Sequence, residues 1–138
     1  MKLKTNKIFV YGTLLRNMSN ARIIKEESIE WIEDAATKGS LYMVKGARYP
    51  AMIHENDDDI VYGEIYSIKS DYLDETIKYC DHLEGHPSFY KREIVTVVDK
   101  EGNEHDAYTY NFQMYEMLGE KIENGDFRDA FSKMFSRK

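Results

Sequence analysis

In 138 residues this chain has one cysteine, two prolines and one tryptophan. The lone Cys80 permits no intrachain disulfide and no cysteine-rich metal site, a composition that fits a reducing compartment. No apolar run is long enough to span a bilayer. The apolar stretch that begins at Ile8 is interrupted by Tyr11, Gly12 and Thr13 and has no small-residue cleavage site. It therefore reads as a first strand rather than a signal peptide. Basic residues are in deficit, 19 Lys and Arg against 25 Asp and Glu, for a net charge of −6. That balance disfavours nucleic acid and anionic membranes, and no basic run offers a local exception. These absences predict a soluble, cytoplasmic protein without nucleic-acid or membrane partners.

Familiar catalytic hardware is missing too. No serine sits in a G-x-S-x-G elbow, and "YGTLL" lacks the length and the lysine of a phosphate-binding P-loop. His82 and His86 are four apart, but Gly85 and Pro87 end the helix between them, and no third ligand is evident. Neither a metal nor a cofactor is expected. Cys80 falls on an apolar stripe and reads as a small core residue.

What is present suggests one domain over residues 1–138. Lys7 to Tyr11 is an apolar, β-rich run closed by Gly12, a buried strand entering a turn. A short helix is expected within Asn17–Glu27, then two strands on either side of Gly39, then a loop in "KGARYPAMI". The run Asp57–Asp59 reads as a solvated turn. In "IVYGEIYSI", Val61, Gly63 and Ile65 alternate with Tyr62, Glu64 and Tyr66, as in a strand with two unlike faces. The clearest helix follows, with Ser70 as N-cap, acids in its first turn and an apolar stripe of Leu73, Ile77, Cys80 and Leu83. Gly85 and Pro87 stop it. "REIVTVV" and "HDAYTYNF" form a hairpin across "DKEGNE". From Met114 onward the chain is helical in character, broken at Asn124–Gly125, and its last piece puts Phe127, Ala130, Phe131, Met134 and Phe135 on one face. Strands outnumber helices without regular alternation, which predicts an α+β fold with a curved mixed or antiparallel sheet.

Two features invite a functional reading. The strand ending at Gly12 is either a plain turn or a row of exposed amides suited to a carboxylate. Glu84, at the end of a helix, is either a solvated acid or a carboxyl whose pKa is raised by burial and by the helix terminus. In the second case it suits general acid/base work near neutral pH.

Taken together, these segments resemble the γ-glutamylcyclotransferase-like family, in particular its γ-glutamylamine cyclotransferase branch. The resemblance rests on "FVYGTLL", "GSLYMVKGARYPAMI", "VYGEIYSI", "LEGHPSFYKR" with its E-G-x-P-x-x-Y-x-R pattern, and "ENGDFRDAF", in that order along nearly the whole chain. It implies a small curved or barrel-like sheet flanked by helices. It also implies a reaction that splits a γ-glutamyl amide into 5-oxoproline and a free amine. The substrate's glutamyl end would lie against Tyr11, Gly12, Thr13 and Leu14, with Glu84 as the acid/base. Tyr90 and Arg92 match the motif's other fixed positions, as substrate contacts or as supports of the loop, and Tyr110 lies where the family often carries a tyrosine near its cavity. The implied partner is a small γ-glutamyl molecule, and the sequence sets no oligomeric state. The competing expectation is a non-catalytic binder of small carboxylates on the same fold. A third is an interaction module built on the aromatic C-terminal helix.

Overall fold

A computed structural model describes residues 3–136, with side chains as far as Met134. Eight strands and two α-helices follow in the order β1 (Lys7–Val10), β2 (Ile29–Lys38), β3 (Ser40–Val44), β4 (Pro50–Ile53), β5 (Ile60–Ile68), α1 (Leu73–Glu84), β6 (Tyr90–Asp99), β7 (Glu104–Phe112), β8 (Leu118–Lys121) and α2 (Phe127–Ser136). Five of them close a barrel in the order β1-β5-β2-β6-β7, and β4-β3-β8 form a separate three-stranded sheet. The fold is α+β with a closed, curved sheet, as expected.

The barrel follows from the sequence pattern. Ile8, Phe9 and Val10 are all buried, because β1 sits between β5 and β7 and has no solvent face. It runs antiparallel to β5, with Phe9 opposite Ile65, and meets β7 in parallel at Ile8 and Tyr108. That parallel step closes the ring. The predicted hairpin is β6–β7, in register from Tyr90–Phe112 to Val98–Glu104. In β5 both faces are covered towards the C-terminal end, so Glu64 is wholly buried beside Ile65 and Tyr66.

Four local expectations are corrected. Asn17–Glu27 holds two 3-10 turns, Ala21–Ile23 and Glu26–Ser28, rather than a helix. Pro50–Ile53 is a strand, not loop: all four residues are buried, and Pro50 opens an edge strand, where its missing N–H costs no ladder bond. Leu118–Lys121 is also a strand, with Leu118 opposite Val44, so pairing with β3 overrides its helical character. Ser70 lies in a 3-10 turn ahead of α1 and does not cap it. In α2, Phe127 is buried and Ala130 and Phe131 pack on the core, whereas Met134 is exposed. The side chain of Phe135 lies outside the described residues. No helix among the described residues is long and apolar enough to cross a membrane.

The end of α1 takes the form its residues dictate. Gly85 adopts the left-handed conformation at φ 67°, open to glycine at little cost. The N–H groups of Gly85 and His86 bond the carbonyls of His82 and Asp81 at 3.3 and 3.0 Å. The helix therefore stops on a closed cap and delivers Glu84, its last residue, to the mouth of the barrel.

Candidate active site

A cavity of about 220 Å³ opens where the β1 loop meets the end of α1. Tyr11, Gly12, Thr13 and Leu14 form one side, Glu84 another, and Tyr90 and Tyr110 line it as well. Seven of the eight site residues expected from the sequence are thus neighbours, although they come from four separate stretches of chain.

The loop after β1 is held by its carbonyls. Gly12 O accepts the N–H of Leu15 at 3.0 Å, Thr13 O that of Asn20 at 2.8 Å, and Leu14 O the hydroxyl of Tyr66 at 3.1 Å. Among the described residues, no acceptor is bonded to the N–H groups of Gly12, Thr13 or Leu14. Three successive residues thus spend their carbonyls on the protein and leave their N–H groups free, the arrangement of an anion-binding concavity.

A buried carboxylate fixes the far end of this loop. Glu64 accepts the backbone N–H of Arg16 at 2.8 Å and its Nε at 2.6 Å, and Nη2 of Arg128 in α2 approaches at 3.4 Å. The bond to Glu64 raises the pKa of the Arg16 guanidinium. Gly12 has a packing reason of its own. A Cβ there would sit 2.7 and 2.8 Å from Cγ and Cδ of Pro50.

The floor of the cavity is made of tyrosines whose hydroxyls are already committed. Tyr11 donates to Tyr110 O at 2.6 Å, Tyr90 to Pro50 O at 2.6 Å, and Tyr110 to Asp81 Oδ1 at 2.7 Å. Burial pushes all three phenols above their ordinary pKa, so they stay neutral.

Glu84 is the exception to this bookkeeping. Among the described residues no group hydrogen-bonds its carboxyl, and burial pushes its pKa up to about 7. Desolvation accounts for that rise. The helix terminus adds less than the sequence suggests, because the carbonyls of His82 and Asp81 are paired in the cap. A carboxyl poised near 7, unbonded and facing a cavity, can take up and release a proton there.

Arg92, expected at the substrate, is not on the cavity wall. Its guanidinium ion-pairs with Asp81 and lies over the Tyr108 ring at 5.2 Å, and its backbone N–H bonds Nδ1 of His86 at 2.9 Å. Asp81, one turn before Glu84, thereby ties the end of α1 to β6 through Arg92 and to β7 through Tyr110. Arg92 supports the helix end. The His82–His86 spacing leads to no metal cluster: among the described residues no three His, Cys, Asp or Glu side chains gather for one. Cys80 is fully buried and its thiol is pushed up to about 12, mainly by burial.

Several residues of the site carried no functional signal in the sequence. Glu64 had only its place in a β run as a clue, since a charge wholly buried in a strand must have a partner. Asp81 resembles any other helical acid. Asn20, Tyr49, Pro50, Leu83 and Phe89 complete the lining.

The chain is similar to known proteins in sequence and in fold. Residues 8–129 match the family described as gamma-glutamyl cyclotransferase, AIG2-like. A protein of Methanocaldococcus jannaschii, provisionally named a gamma-glutamylcyclotransferase, is 30% identical over 88% of this chain and 95% of its own. The gamma-glutamylaminecyclotransferase A of Danio rerio is 27% identical over 79% of this chain and 70% of its own. The fold is also that of the Bacillus subtilis protein YkqA, with TM-score 0.72 and 25% identity; 98% of this chain aligns, covering 44% of that longer one. An AIG2-like protein of Mus musculus aligns over 86% of each chain with TM-score 0.66. With the match running through β1, the Glu84 segment and into α2, this chain belongs to the gamma-glutamyl cyclotransferase, AIG2-like family and is a cyclising enzyme of that class.

Proposed function

We propose that this enzyme converts a γ-glutamyl amide into 5-oxoproline and a free amine, with Glu84 as the sole proton-transfer group. The observation that carries the reading is the pairing within one cavity of an unbonded carboxyl near its titration point and three unpaired amides.

The substrate supplies its own nucleophile. Its α-nitrogen attacks the γ-carbonyl carbon, the new C–N bond closes a five-membered ring, and the bond to the leaving amine breaks. Intramolecular attack in a held conformer reaches effective molarities on the order of 10⁵ M or more, so the protein needs neither serine nor thiol. In this reading the amides of Gly12, Thr13 and Leu14 grip the α-carboxylate and fold the glutamyl chain back on itself. Glu84 takes a proton from the α-ammonium, which is otherwise no nucleophile, and delivers it to the departing nitrogen. Two protons leave the α-nitrogen in all, and both end on the leaving amine as its ammonium ion. No water is consumed.

The test is Glu84→Gln, which keeps the shape and removes the proton-transfer group. We expect 5-oxoproline release to fall by roughly 10²–10⁴-fold, as for loss of a general acid/base, while intact γ-glutamyl amide still binds. Near-native turnover in that variant would sink the mechanism. Binding without turnover in the wild type would leave a carboxylate-binding protein.

A further inference from the structure

We infer that Asn20 is a positioning residue for the amide loop: it holds the Thr13 side chain so that the hydroxyl proton becomes a fourth donor to the substrate's α-carboxylate. The inference rests on the proposed function and deepens it at the glutamyl end of the cavity.

The need for such a donor follows from the lining. None of the residues that line the cavity is Lys, Arg or His, so an α-carboxylate must be held there by neutral donors alone. Its two oxygens offer about four acceptor sites, and the free N–H groups of Gly12, Thr13 and Leu14 fill three. The phenols of Tyr11, Tyr90 and Tyr110 already donate to protein acceptors. Three polar groups of the lining remain unspent among the described residues: Asn20 Oδ1, the Tyr49 hydroxyl and the Thr13 O–H. Asn20 Oδ1 is an acceptor and cannot serve an anion. The Tyr49 hydroxyl is carried by the rim, where the half-buried ring meets Phe89 edge-on at 6.4 Å. The Thr13 hydroxyl belongs to the same residue as one of the three amides, so it is the donor that shares their ligand.

The surroundings of Thr13 hold the side chain and leave its proton free. A hydroxyl has one proton and two lone pairs. Nδ2 of Asn20 donates to Thr13 Oγ1 at 2.9 Å and occupies one lone pair, while nothing among the described residues accepts the proton. Accepting a bond from an amide strengthens a hydroxyl as a donor, and it keeps the side chain from rotating away. The backbone N–H of Asn20 also donates to the Thr13 carbonyl at 2.8 Å, so one residue grips Thr13 at two points. These two bonds close the neck of the loop over residues 13–20. The chain comes back on itself through Asn17, whose φ of 68° lies in the left-handed region that asparagine tolerates. Asn20 precedes the 3-10 turn Ala21–Ile23, where an asparagine commonly caps a helix, yet its side chain makes no cap bond. It is turned towards Thr13 instead.

The experiment uses γ-glutamyl-butylamide. Its Kd is measured calorimetrically on the Glu84→Gln background, and KM and kcat for 5-oxoproline release with Glu84 in place; urea unfolding is followed for every variant. Thr13→Val keeps the branched shape and deletes the hydroxyl. It should raise Kd about tenfold, as for loss of one donor to a charged group, and Thr13→Ser should restore the parent value. Asn20→Ala should raise Kd by about threefold to tenfold and add nothing to Thr13→Val, because it acts through that hydroxyl. Asn20→Asp separates binding from support. Its carboxylate still closes the neck by accepting the Thr13 proton, so unfolding should stay close to the parent's. It also withdraws the donor and sets a like charge beside the substrate, so Kd should rise roughly 10²-fold. Each loss should fall on KM with kcat little changed, since the α-carboxylate takes no part in the bond changes.

Parent-like binding by Thr13→Val overturns the inference, and this variant decides alone should Asn20→Asp unfold. Parent-like binding by a folded Asn20→Asp overturns it as well. So does a loss confined to kcat, which would put the hydroxyl on the γ-carbonyl oxygen, or an Asn20→Ala effect undiminished beside Thr13→Val, which would make Asn20 a general support of the loop. Failure of γ-glutamyl-butylamide to bind the Glu84→Gln parent overturns the inference together with the proposed function. The expected order of Kd values with no 5-oxoproline from the wild type upholds the carboxylate site and refutes the catalytic reading, so the two failures are distinguishable.

Discussion

The burial that suits Glu84 to proton transfer must cost the fold stability, and the cost can be measured as a function of pH. Its carboxyl rises from an ordinary 4.5 to about 7 through desolvation. The folded protein therefore holds this proton more tightly than the unfolded chain does. Stability from the protonated carboxyl is fully present below pH ~4.5, is lost progressively as pH rises, and is gone above pH ~7. At ~1.36 kcal/mol per pH unit the span corresponds to about 3 kcal/mol, an upper figure because the unfolded chain is not fully solvated. Glutamine has no such titration. Urea unfolding of the wild type and of Glu84→Gln at pH values from about 4 to about 8 should therefore give two stability curves that diverge. The difference should move by about 3 kcal/mol in favour of the glutamine variant, which at about 3 °C per kcal/mol is roughly 10 °C in Tm. Other groups that titrate alike in both proteins cancel in the difference. A gap that stays constant across this range would mean that Glu84 is solvated, and the acid/base assignment would lose its physical basis.

Three further outcomes follow from the geometry. In Gly12→Ala the new methyl would displace Pro50, whose carbonyl accepts the Tyr90 hydroxyl; we expect a loss of about 1–3 kcal/mol in urea unfolding and a raised KM for γ-glutamyl amides. Glu64→Gln removes the charge that holds the Arg16 amide and guanidinium; about 2 kcal/mol should be lost and KM should rise with it, and an unchanged KM would show that the loop needs no such anchor. Cys80, fully buried with its thiol raised to about 12, should react with a thiol reagent only as fast as the protein opens in denaturant; rapid labelling of the native protein would contradict its place in the core.

The parts of the site that were legible in the sequence are those set by local chemistry. A β-rich run ending in glycine marks a strand and its turn, and an apolar stripe ending at Gly85 marks a helix and its last residue, so both Gly12 and Glu84 were visible. The parts that were not are set by pairing over long distances. β4 and β8 are four residues each, too short to show a period, and they are strands because β3 lies between them. Arg92 was open between ligand contact and structural support because a sequence does not reveal that Asp81 waits for it on another element. Glu64 looked like part of an amphipathic strand because the closing of the barrel, not the strand, buries its face. The rim has the same character: Tyr49 and Phe89 are forty residues apart and become one wall only through Pro50 and Gly85.

A neutral lining also bears on how, in the proposed mechanism, one carboxyl would serve in both directions. In the free enzyme, Glu84 sits near its midpoint at neutral pH, so a large fraction is ionised and ready to receive an α-ammonium. In that mechanism, binding would bring the two opposite charges together, which favours the ion pair and lowers the pKa of the carboxyl. The same cavity has no other charged side chain on its lining to support them. Passing the proton from nitrogen to carboxyl turns an ion pair into two neutral groups, the form that a low-dielectric site tolerates best. In the proposed mechanism the step that creates the nucleophile would thus be opposed by Coulomb attraction and assisted by desolvation. A more exposed Glu84 would hold the proton too weakly to take it from the ammonium. A more deeply buried one would be protonated before the substrate arrived. Its place on the last turn of α1, half inside the barrel mouth, lies between these limits.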